Sequence, residues 1–363
     1  MRFKIVNLML IAVIATVAFT SCDLEAEALE IQKPHAVDDQ YYTNLRAWKA
    51  TMKDRQVSFG YYAAWAPLEG TEGEKIPSSW GERIMGLPDS FDIVNLWMGI
   101  PTPDWQKLAY EDMIYCQKVK GTRFVYHADA SKNNPFEYDG VEYTIATNSP
   151  EAEVNEYIEM FAKWIVRQVL DNNLDGVDVD YEPSNQNPSI WLIPSRLTTL
   201  FQELGKYFGP QGIHPDKLLI VDYYSHSNIP AEVEPFVDYW VRQAYTQGFT
   251  EHSAARLQSY YNVYRSFLPA EKFIVVETFG GTTTTHLTGG SPFTEADGNT
   301  LTAEGTQMYS LEGMARWHPV AADGTIQRKG GFGGFYFGRD YTSPAGPYYN
   351  IRRCIQIANP AVH

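Results

Sequence analysis

The chain has 363 residues, 44% of them hydrophobic and 14% aromatic, which is enough to bury one large core in a single domain. Its formal net charge is −15 and it contains no long basic run, so nothing in it neutralises phosphates and nucleic acid is not an expected partner.

At the N-terminus Arg2 and Lys4 precede the mostly apolar stretch Ile5–Ala18, and Met1–Ser21 reads as a secretory signal. The stretch is short for a membrane span, and no second one follows it. Phe19-Thr20-Ser21-Cys22 then resembles a bacterial lipobox, in which the thiol of Cys22 is lipidated and becomes the new N-terminus. A soluble exported protein with an unmodified Cys22 is the alternative. Asp23–Glu30 (DLEAEALE) is acidic and resembles the export tags of Gram-negative surface lipoproteins, or equally a solvated tether. The expectation is a lipoprotein of the cell envelope, held at the outer membrane and facing outward. Residues 22–55 would form the tether and lead-in, with a short helix over Asn44–Lys53, and 56–363 one folded domain.

From Val57 the pattern alternates strand and helix. Val57–Trp65, Phe91–Gly99 and Arg123–Ala128 read as the first three strands, with a helix over Trp105–Lys120 between the last two. Pro150–Asn172 is the clearest helix: Val154, Ile158, Phe161, Trp164, Ile165 and Val169 recur at helical spacing, with acids in the first turn. The fourth strand follows it. Ser189–Phe208 reads as a helix, Leu218–Tyr224 and Tyr239–Tyr245 as strands five and six, and Ala254–Phe267 as the next helix. Phe273–Thr278 and Gly333–Gly338 are strands seven and eight, and Tyr349–Ala358 is the closing helix. Eight strands with intervening helical segments predict an α/β fold, a (β/α)8 or TIM barrel, with no linker dividing it. The loops Ser131–Ser149 and Phe279–Gln307 are enlarged and belong to the face that carries active sites in such barrels. Cys116 and Cys354 fall beside apolar residues in predicted helices, which favours buried free thiols over a disulfide.

The fourth strand carries the chemistry. Leu174–Pro183 (LDGVDVDYEP) holds four acids in eight residues: Asp175, Asp178, Asp180 and Glu182. Val177, Val179 and Tyr181 alternate with the last three, so Asp178, Asp180 and Glu182 share one face of a strand, spaced about 6.5–7 Å apart. Carboxylates crowded into one space repel, and at least one pKa should rise; that is how a carboxyl remains a proton donor near neutral pH. Pro183 cannot continue a central ladder and places Glu182 at the strand's carboxyl end. No His cluster accompanies the acids, so a metal-dependent hydrolase is not expected.

The run Asp175-x-x-Asp178-x-Asp180-x-Glu182 resembles the DxxDxDxE signature of glycoside hydrolase family 18, which contains chitinases and endo-β-N-acetylglucosaminidases. The resemblance covers the barrel in outline and is specific at the fourth strand, less so at the first and sixth. An ordinary retaining glycosidase needs two carboxylates about 5–5.5 Å apart across the sugar. Asp180 and Glu182 instead lie on one side. The resemblance implies substrate assistance, with no metal or organic cofactor: the 2-acetamido oxygen attacks the anomeric carbon, Glu182 protonates the leaving oxygen and then activates water, Asp180 orients the acetamido N–H and stabilises the developing positive charge, and Asp178 shares a proton or hydrogen bond with Asp180 and adjusts its charge. Asp175 is expected to be structural. The substrate would be a glycan or glycoprotein containing N-acetylglucosamine.

Family chitinases place an acetamide-binding Tyr in a Met-x-Tyr-Asp sequence on the sixth strand; here Gln243-Ala244-Tyr245-Thr246 corresponds, with Tyr245 in the donor role and Gln243 binding sugar or holding Tyr245. Tyr61, Trp97, Tyr126, Tyr224 and Tyr336 are further candidates for sugar contact, each with core packing as the competing reading. His127 and Glu277 are polar residues on apolar strands and should face the barrel mouth or make buried hydrogen bonds. The Ser-x-Gly-Gly of chitinases is absent from the third strand, and Phe335-Tyr336-Phe337 stands where a Trp commonly ends the eighth. These departures favour an endo-β-N-acetylglucosaminidase acting on the core of N-linked glycans. The alternatives are a non-catalytic surface glycan-binding lipoprotein and a chitinase or chitooligosaccharidase.

Overall fold

The computed structural model describes residues 39–62, 83–97, 99–183, 189–224, 229–246, 251–280 and 284–360. The expected signal Met1–Ser21, Cys22 and the acidic stretch Asp23–Glu30 lie outside the described residues. Asn44–His363 forms one compact unit; of the unit Met1–Thr43, the start of the helix Asp39–Ala50 is described. That helix begins earlier than the expected Asn44–Lys53 and stops at Ala50, because both the amide and the hydroxyl of Thr51 turn back onto the Trp48 carbonyl. No described helix is long and apolar enough to cross a membrane.

Eight parallel strands close into a barrel: β1 (Val57–Tyr61), β2 (Ile93–Asn95), β3 (Arg123–Asp129), β4 (Gly176–Tyr181), β5 (Leu218–Tyr223), β6 (Tyr239–Gln243), β7 (Phe273–Thr278) and β8 (Gly331–Phe335). Strands adjacent in sequence are adjacent in the sheet, and β1 pairs with β8 to complete the ring. This is the (β/α)8 fold that the alternating pattern predicts. The two-residue period of each strand divides its side chains between two cores. Phe59, Ile93, Val125, Ile220, Val241 and Val276 fill the barrel. Phe124, Val179, Leu219, Trp240 and Phe332 point outward beneath the helices. Closure needs glycine where backbones come closest. A Cβ on Gly333 of β8 would collide with the Phe59 carbonyl, and one on Gly176, which opens β4 at φ +148°, would collide with the Leu218 carbonyl.

The helix Glu151–Asp171 matches expectation and buries Val154, Ile158, Phe161, Ile165 and Val169, with Trp164 only partly buried at the edge of the same core. Its first-turn Glu151 and Glu153 face the positive end of the helix dipole. The closing helix Tyr349–Ala358 also agrees. Other elements differ. The expected helix Ser189–Phe208 is broken: a 3-10 turn Ile190–Leu192 precedes Pro194, which occupies the first turn of Pro194–Leu204, where its missing N–H costs nothing. The helix expected over Trp105–Lys120 is α-helical over Lys107–Tyr115 and widens into a π-turn at Cys116–Lys120. β8 lies two residues before the expected Gly333–Gly338, because Tyr336 turns left-handed at φ 55° and starts the 3-10 segment Phe337–Thr342. The helix Ser310–Arg316, which packs between β7 and β8, was not predicted. The enlarged loop after β3 carries the antiparallel hairpin Phe136–Tyr138/Val141–Tyr143. In the loop after β7, Phe293–Thr294 pairs with His252–Ser253. Cys116 and Cys354 are free and buried.

Candidate active site

The site is built on β4 and its neighbours. Val177, Val179 and Tyr181 belong to the outer core, so Asp178 and Asp180 point into the barrel, as the alternation requires. Parallel pairing sets Asp180 opposite Asp129 of β3 and Asp222 of β5. Three acids therefore occupy one row across three strands, about 4.8 Å apart from strand to strand. One row below, Asp178 stands opposite His127 and Ile220. Past the end of β4, the Glu182 amide donates to Ser131 Oγ at 3.0 Å and the Ala130 amide to the Asp180 carbonyl at 2.9 Å, which holds the strand's carboxyl end against the loop after β3. Asp129 in turn caps the Ser131 amide at 2.7 Å and accepts from Asn134 at 3.2 Å.

Two amides organise the acids. Asn95 of β2 donates to Asp178 Oδ2 at 2.8 Å. Gln243 of β6 donates to Asp222 Oδ1 at 2.6 Å and reaches Asp180 Oδ1 at 3.4 Å. His127 Nε2 is 3.8 Å from Asp180 Oδ2. Among the described residues no Lys or Arg pairs with Asp178, Asp180 or Asp222. Burial therefore dominates their protonation: it pushes Asp178 up to about 7, helped by the charge of Asp180 and opposed by the Asn95 hydrogen bond. Asp180 and Asp222 are also raised well above the usual carboxylate range, by burial first, then for Asp180 by the charges of Asp222 and Glu182 and for Asp222 by those of Asp178 and Glu182. Burial holds His127 down at about 4, so the imidazole is neutral at pH 7 and adds no compensating charge. Burial next to these acids likewise keeps the phenols of Tyr61 and Tyr245 protonated. The hollow thus sets carboxyls whose pKa values burial raises beside neutral hydrogen-bond donors, an arrangement suited to general acid and base chemistry.

An aromatic wall faces the acids. Phe335, at the end of β8, lies edge-on to Trp97 at 4.8 Å and tilted against Tyr245 at 5.8 Å. Tyr336 meets Trp97 at 5.7 Å, and Tyr224 meets Tyr245 at 6.3 Å. Trp97, Tyr224, Tyr245, Phe335 and Tyr336 are all partly open. Tyr245 is held from behind: Glu277 accepts from the amide and hydroxyl of the next residue, Thr246, both at 2.9 Å.

The structure thus brings together Asp178, Asp180, Glu182, Gln243, Tyr245, Trp97, Tyr224 and Tyr336 at the carboxyl end of the barrel. It corrects two sugar-contact candidates. Tyr126 points outward and packs on Trp164 at 6.0 Å, because Val125 and His127 take the inward phase of β3. Tyr61 is 2% exposed and lies in the barrel core, with its hydroxyl enclosed beneath Asp178 and Asp222 rather than at the open cleft. Gln243 does not hold Tyr245; its amide is committed to Asp222 and Asp180. Asp175 accepts from Gln117 and the Phe124 amide, both at 2.8 Å, at the opposite end of β4, a structural position. His127 faces the acids, and Glu277 is a fully buried structural acceptor. Sequence reasoning missed Asp222, Asn95, Ser131 and the wall residue Phe335. Asp222 and Asn95 carried a readable signal: each is a polar residue in the inward phase of an otherwise apolar strand.

The family model described as glycoside hydrolase family 18, BT1044-like, matches residues 19–357. The solved structure of BT1044, a selenomethionine form with a Glu→Gln substitution, superposes with a TM-score of 0.67 at 20% identity, covering 89% of this chain and 93% of that one. An endo-β-N-acetylglucosaminidase from Cordyceps militaris gives 0.60 at 22% identity, covering 90% and 98%. A doubly substituted form of that enzyme, in complex with fucosyl-N-acetylglucosamine-Asn, gives 0.60 at 21%. At these identities the likeness establishes the fold. Endo-β-N-acetylglucosaminidase EndoSd from Streptococcus dysgalactiae is 21% identical over 230 residues, 61% of this chain and 26% of that protein; the chain thus spans about a quarter of the length of the curated relative it matches.

Proposed function

The chain belongs to glycoside hydrolase family 18, and from that premise we propose that it is an endo-β-N-acetylglucosaminidase, hydrolysing the GlcNAc-β1,4-GlcNAc bond in the core of N-linked glycans with retention. The observation that carries this reading is the meeting of Asp178 and Asp180 of β4, with Glu182 just past its end, and Gln243 of β6, with Tyr245 just past its end, over one aromatic-walled hollow. All the acids reach the sugar from one side, which suits attack by the substrate's own acetamide. In that reaction the acetamido oxygen bonds to the anomeric carbon as the glycosidic C–O bond breaks, and the leaving oxygen takes the proton of Glu182. Asp180 accepts the acetamido N–H and offsets the positive charge of the oxazolinium ion. The phenol of Tyr245, kept protonated by burial, donates to the acetamido oxygen. Water then attacks the anomeric carbon as its bond to the acetamido oxygen breaks, which regenerates the acetamide, and the water gives a proton to Glu182, which restores the acid. Phe335, Trp97 and Tyr336 supply ring faces against which a sugar packs.

The test incubates the protein, beside its Glu182→Gln variant, with a high-mannose glycoprotein, a complex-glycan glycoprotein and chitin oligomers, and follows products by mass spectrometry. One GlcNAc left on the polypeptide and a released glycan is the expected result. Cleavage of chitin oligomers alone would make the protein a chitooligosaccharidase, and glycan binding without cleavage would make it a surface glycan-binding protein. We further propose that it is anchored through lipidated Cys22 at the outer membrane. Membrane fractionation of wild type and Cys22→Ala tests this, with release of the variant into the soluble fraction expected.

A further inference from the structure

Asp222 has no part in the reaction just described, yet it stands in register with Asp180 on the next strand. The amide donors decide which oxygens of the buried acids are engaged. Gln243 takes Asp222 Oδ1 and leans toward Asp180 Oδ1; Asn95 takes Asp178 Oδ2. This leaves Asp178 Oδ1 and Asp222 Oδ2, both sealed from solvent and both without a donor among the described residues. The two carboxyls lie diagonally across the pairing of β4 with β5, Asp178 opposite Ile220 and Asp222 opposite Asp180, and each acts electrostatically on the other. Two ionised carboxylates have no hydrogen to place between those oxygens, and like charges this close do not both ionise in a dry interior.

We propose that one proton is held between Asp222 Oδ2 and Asp178 Oδ1, and that Asp222 is thereby a positioning residue of the active site. The proton keeps the pair at a single negative charge. It also fixes Asp222 as the seat for Gln243, whose other contact is Asp180. The groups facing the pair are Asp180 and Glu182 of the β4 segment, His127 and Asp129 of β3, Asn95 of β2, Tyr61 of β1 and Gln243 with Tyr245 from β6. Glu277 of β7 faces Tyr245 from behind. None is a cation at pH 7, since His127 stays neutral; the Tyr61 hydroxyl, which faces Asp222 beside Gln243, is a neutral donor and brings no charge to offset a second anion. The consequence for turnover rests on the catalytic reading above; the shared proton does not.

Thermal unfolding of the full chain between pH 4 and 8, with kcat and KM on a high-mannose glycoprotein over the same range, tests this in wild type, Asp222→Asn and Asp222→Leu. The folded pair keeps a proton that the unfolded chain releases near pH ~4. Its contribution to stability is therefore complete below that pH and is lost as the pH rises toward about 7, the folded value for Asp178. In Asp222→Asn the amide donates to Asp178 Oδ1 at every pH, so its Tm relative to wild type should rise by about 2–4 °C from pH 4 to pH 8. Its kcat should remain within about tenfold of wild type, whereas Asp222→Leu should lose about 10²-fold with KM little changed, as expected when a reacting group is mispositioned. Parallel Tm–pH curves for wild type and Asp222→Asn, or equal kcat losses in the two variants, would overturn the proposal. A wild type that releases no glycan would sink the catalytic reading, and the Tm comparison would still decide the shared proton.

Discussion

The two ends of the barrel treat buried charge in opposite ways. At the amino end, Asp92 accepts from Arg55 in a two-pronged pair at 2.9 and 2.6 Å, and also from the amide and hydroxyl of Ser58 at 2.9 and 3.1 Å. Buried Lys49 donates to the Phe91 carbonyl at 2.6 Å and to Thr122 at 2.8 Å. Lys329, wholly buried, spends its donors on Gln56 and on the carbonyls of Ala315 and Trp317. At the carboxyl end Asp178, Asp180 and Asp222 crowd together with two amides for partners and oxygens left bare. Desolvation acts at both ends. Below, a cation answers Asp92 and hydrogen-bond acceptors engage both lysines, although burial still lowers Lys49 and Lys329; above, no cation answers the acids, and burial raises them. A group that must release and recover a proton cannot be locked in an ion pair, so the poorly satisfied end is where chemistry belongs.

This contrast can be broken at either end. The largest expected effect is at the mouth: Glu182→Gln should lower kcat by about 10²–10⁴-fold while Tm changes little, since the amide keeps the shape of the neutral acid. Activity and melting of one preparation check both halves. At the floor, Arg55→Met should cost about 3–5 kcal/mol by leaving Asp92 buried without its cation, with kcat per folded molecule unchanged; denaturant titration beside an active-fraction assay reads this. Tyr245→Phe should lower kcat by about 10²-fold, the loss of one donor to developing charge, with little change in stability; a matching rise in KM alone would instead make Tyr245 a simple binding residue. The smallest effect sharpens the contrast by pH. His127 is neutral when folded, with a pKa of about 4 against an ordinary 6.5. Its contribution is complete above pH 6.5 and is lost as the pH falls toward 4, at about 1 kcal/mol per pH unit. His127→Gln should therefore flatten the acid side of the stability curve, and an unchanged acid side would show that other groups set it.

The sequence alone determined the barrel and the identity of its chemical strand. The two-residue period of LDGVDVDYEP forces Asp178, Asp180 and Glu182 onto one face, and the apolar Val177, Val179 and Tyr181 say which face is buried under helices. Tertiary structure decided what sequence pattern leaves symmetric. In β3, RFVYHAD offers aromatic or polar residues in both phases, so only closure of the ring showed that His127 faces the acids and Tyr126 faces Trp164. Asp222 and Asn95 sit on strands separated from Asp178 by tens of residues, and pairing register alone makes them its neighbours. Alternation is local and can be read along a single strand; which acid meets which amide depends on how eight strands are staggered around a closed ring, and no single strand contains that information.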